Sequence, residues 1–153
     1  MDQGPERDGF ELAETRRTLP IALLRAREAV MERFRPMLSA HDVTEQQWRV
    51  LRVLQEAGET DATQLAAAAC LLPPSLTRMA RSLEARGFIA QRKDPDDGRR
   101  SLIALTEAGK AFLRAVSPES VAIYARIEAQ IGQERIAHLL DELGALLDAL
   151  ERG

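Results

Sequence analysis

The chain has 153 residues, 45% of them hydrophobic and 29% charged, with a net charge of −3. That length suits one domain, or one compact domain with helical extensions, and the composition can supply a hydrophobic core. A single cysteine excludes an intramolecular disulfide, and two histidines argue against a zinc site. The many Ala and Leu residues, with only 4% aromatic residues, favour a largely helical protein.

Residues 1–17 are polar and acidic, so we expect a flexible N-terminal tail. This segment lacks the apolar run of a signal peptide. Nowhere does the chain approach the roughly 18 to 20 apolar residues of a membrane span. The sequence therefore predicts a cytoplasmic protein with no membrane partner.

An apolar stripe at helical spacing predicts a first helix from Thr18, which suits the N-cap. Pro20 is tolerated in the first turn, and Pro36 is expected to kink or close the helix. A second helix follows a capping box formed by Thr44 and Gln47. A third helix, capped by Asp61, is predicted to run to about Cys70.

The fourth helix, predicted from Pro74 or Ser75 to Gly87, carries the first functional signal. A helix, a short turn and a second helix that exposes arginine form a helix-turn-helix. Arginine matches the O6 and N7 atoms of guanine, and hydroxyl groups suit phosphate oxygens. An ordinary solvated amphipathic helix would explain this helix alone equally well. Its exposed polar residues are Ser75, Thr77, Arg78, Arg81 and Ser82.

A predicted β-hairpin decides between these two readings. Residues 88–93 and 99–105 resemble strands, and the segment DPDDG between them is a strong turn signal. Asp97 is expected to orient the guanidinium of Arg99 by a charge-assisted hydrogen bond. A basic hairpin after a helix-turn-helix is a DNA-binding wing, and its arginines suit a narrow minor groove. The basic residues at or near its tip are Arg92, Lys93, Arg99 and Arg100.

Two helices are predicted after the hairpin. Thr106 caps the fifth, residues 117–119 are expected to bend it, and Gly132 separates it from a sixth that ends near Leu150. The broad leucine stripe of the sixth helix and the apolar excess of the first helix both need burial. A homodimer built from the two ends of the chain would bury them. Such a dimer could read a palindromic DNA site.

The chain resembles the MarR family of transcriptional regulators over residues 18–150. The motifs that carry this resemblance are SLTRMARSLEARGFI, DPDDGRR and LTEAG. Two further stretches, LPIALLRAREAVMERFRP and TEQQWRVLRVL, resemble the branch that regulates homoprotocatechuate (4-hydroxyphenylacetate) catabolic operons. The resemblance implies an obligate homodimer that represses a nearby operon and releases double-stranded DNA when a small aromatic carboxylate binds. By motif, Ser75, Thr77, Arg78 and Arg81 then lie on the recognition helix, and Asp97 and Arg99 on the wing.

The expected fold is mainly α with a small β-wing. Residues 44–105 form the winged helix-turn-helix region, and residues 18–43 and 106–153 form the N- and C-terminal dimerisation helices. The effector needs a cation for its carboxylate and an apolar wall. The candidates, each with its competing explanation, are Arg17 (a surface arginine), Arg27 (an ion pair with glutamate), His41 (a loop histidine) and Trp48 (core).

Three alternatives compete with an effector-responsive repressor. The regulator could respond to another signal, such as an oxidant, although Cys70 is expected to be a small buried side chain rather than a redox switch. A winged-helix module that binds protein instead of DNA would need a recognition face and a wing without arginine. An enzyme is not expected, because the sequence shows no nucleophile–base set, metal cluster or phosphate loop. We therefore predict no catalytic residues and no cofactor.

Overall fold

The computed structural model describes residues 14–153, so the expected tail lies mostly outside the described residues. One turn of 3-10 helix, Thr15–Arg17, precedes the first long helix. The helices are α1 (Leu19–Ala40), α2 (Glu45–Ala57), α3 (Ala62–Ala68), α4 (Pro73–Ala85), α5 (Glu107–Ile131) and α6 (Gln133–Arg152). The strands are β1 (Thr60–Asp61), β2 (Ile89–Lys93) and β3 (Ser101–Leu105).

The three strands form one antiparallel sheet in the order β1-β3-β2. Within it, Thr60 pairs with Ile103, and Ile89 pairs with Leu105. The hairpin of β2 and β3 follows the α3–α4 helix pair, as expected for a wing. The predicted fold class, mainly helical with a winged helix-turn-helix, is therefore confirmed.

Side-chain caps form at three of the four helices for which the sequence predicted one: α2, α3 and α5. Thr44 and Gln47 form both hydrogen bonds of the capping box at α2. The Asp61 carboxylate accepts from the Gln64 amide, 2.8 Å away, at α3. Thr18 is the exception: it occupies the N-cap position of α1, but its hydroxyl donates to the Thr15 carbonyl instead.

Both prolines singled out in the sequence lie inside continuous helices. Helix α1 continues past Pro36 to Ala40, so Pro36 does not close it, and α5 runs through Pro118 as one helix. Helix α3 ends at Ala68 rather than near Cys70. The Cys70 backbone has a φ of 55°, which is incompatible with a continuing α-helix.

The interior consists of two clusters of buried side chains. One lies within the winged region, where Leu51, Leu65 and Leu83 are fully buried. The other joins α1 to α5 through residues such as Phe34 and Ile123. Trp48 and Phe112 contact both clusters, and this position makes them part of the connection between the winged region and the long helices.

The start of α5 docks closely on the turn that ends α4. The Thr106 amide donates to the Phe88 carbonyl at 3.0 Å, and the Thr106 hydroxyl donates to the Gly87 carbonyl at 2.5 Å. Gly109 faces the same carbonyl of Phe88, and a Cβ atom on Gly109 would overlap it. The absence of a side chain at Gly109 therefore allows α5 to approach the winged region.

Large apolar side chains remain exposed on the helices at the two ends of the chain. Helix α1 exposes Leu19, Leu23, Leu24 and Val30, and α6 exposes Leu139, Leu140, Leu147 and Leu150. Among the helices of residues 14–153, none combines the length and apolar character required to cross a membrane.

Candidate nucleic-acid interface and effector region

Helix α4 separates an apolar face from a polar face. Leu76, Ala80 and Leu83 are buried against the winged core, while Thr77, Arg78 and Arg81 are exposed. The Thr77 hydroxyl donates to the Pro73 carbonyl at 3.1 Å. Ser75 is half-buried in the first turn. The predicted recognition residues thus share one helix, with both arginines directed outwards.

Ser82 departs from its predicted exposed position. It is half-buried, and its hydroxyl accepts a hydrogen bond of 2.8 Å from the Gln47 side-chain amide. Gln47 is itself buried and also completes the capping box of α2. Ser82 therefore ties α4 to α2.

The wing turn is held by backbone hydrogen bonds, and Asp97 has a different role from the one predicted. Its carboxylate accepts from the Arg99 backbone amide at 3.1 Å. Its carbonyl accepts from the Arg100 amide at 3.0 Å. The expected bond between Asp97 and the Arg99 guanidinium is wrong, because the turn places the backbone amide in front of the carboxylate. Asp97 shapes the loop that carries Arg99.

Two arginines near the wing are paired with acids at β1. Arg92 forms a bidentate pair with Glu59, at 2.9 and 2.6 Å. The Nε atom of Arg100 lies 3.0 Å from Asp61, and its Nη1 atom lies 3.5 Å from Asp94. These contacts link both strands of the hairpin to the segment before α3. The wing is thereby braced against the helix-turn-helix.

The electrostatics of the braces follow from these bonds. Hydrogen bonds from Arg92 lower the pKa of Glu59. The Gln64 backbone amide, and then Arg100, lower the pKa of Asp61. By contrast, four exposed cations of α4 and the wing form no ion pair within residues 14–153. They are Arg78, Arg81, Lys93 and Arg99.

In the predicted effector region, Arg27 already has carboxylate partners. Its guanidinium lies 2.9 Å from Glu45 and 3.7 Å from Glu28. Arg35 binds the same two acids, at 2.9 Å and 2.7 Å. Hydrogen bonding from Arg27 is the main cause that lowers the pKa of Glu45. The glutamate ion pair that competes with a ligand role for Arg27 is therefore present.

The other three predicted effector residues lie in different surroundings. Trp48 is half-buried one turn after Glu45 and packs on both core clusters. The His41 imidazole, at the end of α1, lies 2.5 Å from the Glu119 carboxylate. Arg17 is exposed in the 3-10 turn. Of the four, Arg27 is bonded to Glu45, which lies one turn before Trp48 on α2. No hydrogen bond or ion pair of the described residues brings Arg17 or His41 to either of them.

A cleft of about 640 Å³ opens where α1, α2 and α4 meet. Two cations that the sequence did not single out as site residues, Arg35 and Arg86, line it together with Glu45, Gln47 and Ser82. Arg35 was visible in the sequence as a charge beside the apolar stripe, but Arg86 carried no signal beyond its place at the end of α4. Within residues 14–153, no three His, Cys, Asp or Glu side chains gather as a metal site.

Cys70 is exposed, so the expectation that it is buried is wrong. The left-handed backbone at this residue (φ 55°) reverses the chain between α3 and α4 and directs the side chain outwards. Its neighbour Ala69 is buried in its place.

Comparison with known proteins agrees with this geometry. The MarR family model matches residues 43–101, which span the helix-turn-helix and most of the wing. The homoprotocatechuate degradative operon repressor of Escherichia coli is 42% identical over 132 residues, which cover 84% of this chain and 89% of that protein. The chain belongs to the MarR family. It is a DNA-binding transcriptional regulator and not an enzyme.

Solved structures of MarR-type regulators extend the likeness beyond the matched segment. Transcriptional regulator PA4135 is 43% identical with a TM-score of 0.82, covering 86% of this chain and 96% of its own. NadR in complex with 4-hydroxyphenylacetate is 37% identical with a TM-score of 0.77, covering 88% and 96%. The MarR fold therefore includes the long helices on both sides of the winged region.

Proposed function

We propose that this chain is a homodimeric repressor that binds a palindromic operator through α4 and the wing. The observation that carries the proposal is the set of four exposed cations without acidic partners, two on α4 and two on the hairpin. Arg78 and Arg81 suit base edges or phosphates of the major groove, and Arg99 suits the minor groove. Ser75 and Thr77 are proposed as phosphate contacts at the start of α4.

The remaining predicted contacts are assigned indirect or secondary roles. Lys93 is proposed as a phosphate contact at the wing. Asp97 would shape the turn, Arg100 would brace the wing, and Ser82 would hold α4 on α2. These assignments predict different results for Arg99 and Arg100, although the two residues are adjacent.

The test measures affinity for the upstream intergenic DNA over a range of salt concentrations. Each lost phosphate contact lowers the slope of log affinity against log salt by about one. Arg78→Ala and Arg99→Ala should weaken binding, each with a shallower slope if its contact is to phosphate. Arg100→Ala should weaken binding with the slope nearly unchanged. Arg52→Ala on α2 is the matched control, because Arg52 is exposed and pairs only within its own helix, with Glu56. Unchanged affinity in both the Arg78 and Arg99 variants would overturn the interface.

The exposed leucines of α1 and α6 support the homodimer. We propose that residues 18–43 and 106–153 are the dimerisation helices and that residues 44–105 read DNA. Two identical faces of this kind can bury each other around a two-fold axis. The dimer places two recognition helices for the two halves of a palindrome. Sedimentation as a monomer at micromolar concentration would contradict this proposal.

We further propose that the regulated genes serve aromatic-acid catabolism and that a small phenolic carboxylate releases the operator. The relative from Escherichia coli is named for the homoprotocatechuate operon, and NadR was solved with 4-hydroxyphenylacetate. In this chain, Trp48 offers an aromatic wall one turn from Glu45, and Arg27 offers a cation bonded to that acid. Arg17 and His41 remain proposed contributors from the two ends of α1.

The effector proposal has its own assay. Addition of 4-hydroxyphenylacetate or 3,4-dihydroxyphenylacetate should raise the melting temperature and release operator DNA at matching concentrations. Arg27→Gln and Trp48→Ala should weaken both responses, whereas Arg25→Gln on the same helix should not. If neither compound shifts melting or releases DNA, the aromatic-acid proposal fails while the DNA proposal stands. A regulator of chromosomal operators would work in the cytoplasm.

A further inference from the structure

Five side chains form a compact junction cluster where three helices meet. They are His41 at the end of α1, Arg86 at the end of α4, Phe88 before β2, and Phe112 and Glu119 on α5. Helices α1, α4 and α5 each contribute at least one member. The proposed DNA and effector contacts use only His41.

Arg86 makes the central contacts of the cluster. As the C-cap residue of α4, it directs its guanidinium back to the end of α1. There Nη1 donates to the Asp42 carbonyl, and Nη2 donates to the His41 carbonyl at 3.4 Å. The guanidinium carbon also lies 4.8 Å from the ring centre of Phe88 and 5.9 Å from that of Phe112. A planar group with several donors can satisfy two carbonyls and stack on rings at once.

The same cluster continues into α5. The rings of Phe88 and Phe112 stack with centres 4.6 Å apart, and Phe112 meets the edge of the His41 ring at 6.2 Å. His41 also contacts the Glu119 carboxylate. A displacement of α1 relative to α5 would therefore change the contacts of Arg86 and the position of the end of α4.

We propose that Arg86 is a positioning residue that fixes recognition helix α4 relative to α1 and α5, and that it sets operator affinity without touching DNA. The inference rests on the proposed operator binding by α4. Arg86 is half-buried and faces the long helices, whereas Arg78 and Arg81 on the same helix are exposed. Its charge is used on backbone carbonyls, so it is not presented to a phosphate. A displacement of the end of α1 reaches α4 through these two bonds.

The decisive measurement is operator affinity against salt concentration for Arg86→Gln and Arg86→Lys, beside Lys93→Ala. Loss of a positioning contact should weaken binding on the order of tenfold in Arg86→Gln, with a salt slope equal to that of the unmodified protein. Lysine can reach one carbonyl but cannot bridge both carbonyls and stack on the rings. The operator affinity of Arg86→Lys should therefore lie between those of Arg86→Gln and the unmodified protein. Lys93→Ala supplies the reduced slope expected of a phosphate contact. Each affinity is calculated from the concentration of active protein, which is measured by stoichiometric titration with DNA.

A distance measurement tests the positioning directly. Cys70, the single cysteine, is exposed just before α4 and can carry one spin label in each protomer. In the free dimer, Arg86→Gln should broaden the distribution of distances between the two labels relative to the unmodified protein. Arg52→Gln on α2, an exposed residue that pairs with Glu56 of the same helix, is the control and should leave the distribution unchanged.

Each outcome bears on the proposal. A salt slope reduced by about one in Arg86→Gln would mean that Arg86 contacts phosphate, and the positioning role would be wrong. Unchanged affinity, or an unchanged label distribution, would also overturn it. If Arg86→Gln does not fold, Arg86→Lys decides by the same criteria. If the unmodified protein binds no upstream DNA, the proposed function itself fails. If the unmodified protein binds this DNA and the Arg86 variants bind it equally well, only the positioning role fails.

Discussion

Replacement of Gly109 by alanine tests how closely α5 must dock on the winged region. In an isolated helix this change is favourable by about 1 kcal/mol, because glycine is a poor helix former. Here the new Cβ atom would lie 3.0 Å from the Phe88 carbonyl carbon, nearer still to its oxygen, and 3.3 Å from a methyl group of Leu105. The first of these contacts is to backbone, which cannot rotate away.

Ordinary van der Waals separations imply that α5 must shift by about 1 Å to relieve the overlap. Overpacking of this kind costs roughly 1 to 3 kcal/mol. The shift also strains the bond from the Thr106 amide to the Phe88 carbonyl, worth about 1 kcal/mol. After subtraction of the helix gain, Gly109→Ala should lower the free energy of unfolding by about 1 to 3 kcal/mol.

The assay is urea denaturation at one fixed protein concentration, because dimer stability depends on concentration. Gly144→Ala is the matched control: Gly144 also lies inside a helix, and a Cβ atom added there would meet no neighbouring atom within 4 Å. Gly144→Ala should raise the free energy of unfolding by about 1 kcal/mol. If Gly109→Ala stabilises as much as Gly144→Ala, the close approach of α5 to Phe88 is refuted.

Three further predictions concern pH, assembly and the cysteine. Because the pKa of Asp61 is lowered in the folded chain, its stabilising contribution is present above the ordinary aspartate pKa and is lost as the pH falls through the folded value. Asp61→Asn should therefore lose less stability than the unmodified protein as the pH falls below the ordinary aspartate pKa. Leu140→Lys should produce monomers in sedimentation, whereas Ala145→Lys, on the opposite face of α6, should not. Cys70 should react with a thiol reagent in the native protein at nearly its denatured rate, and slow reaction would contradict its exposure.

The caps and turns were predictable because their chemistry is local. The Thr44 and Gln47 capping box, the Asp61 cap and the Thr106 cap each join residues three apart. The segment DPDDG specified a hairpin for a similar reason. Proline was the weak local signal: Pro36 and Pro118 both lie inside continuous helices, where packing of α1 on α5 outweighs the local preference.

The partners of charged side chains were not predictable in the same way. Arg92 binds an acid 33 positions away, and Arg100 binds one 39 positions away. Ser82 receives its hydrogen bond from a residue 35 positions earlier. The sequence shows that arginines cluster near the wing, but it does not show which of them form ion pairs with acidic side chains. Arg100 and Arg99 differ only in what the fold places opposite them.

The sequence by itself determined the helix-turn-helix, the wing and the apolar stripes of the terminal helices, because periodicity and turn chemistry act over a few residues. Only the tertiary structure decided which cations of α4 and the wing lack an acidic partner, that Cys70 is exposed, and that Arg86 joins α4 to α1. Those outcomes depend on contacts between distant segments, and such contacts exist only after the chain has folded.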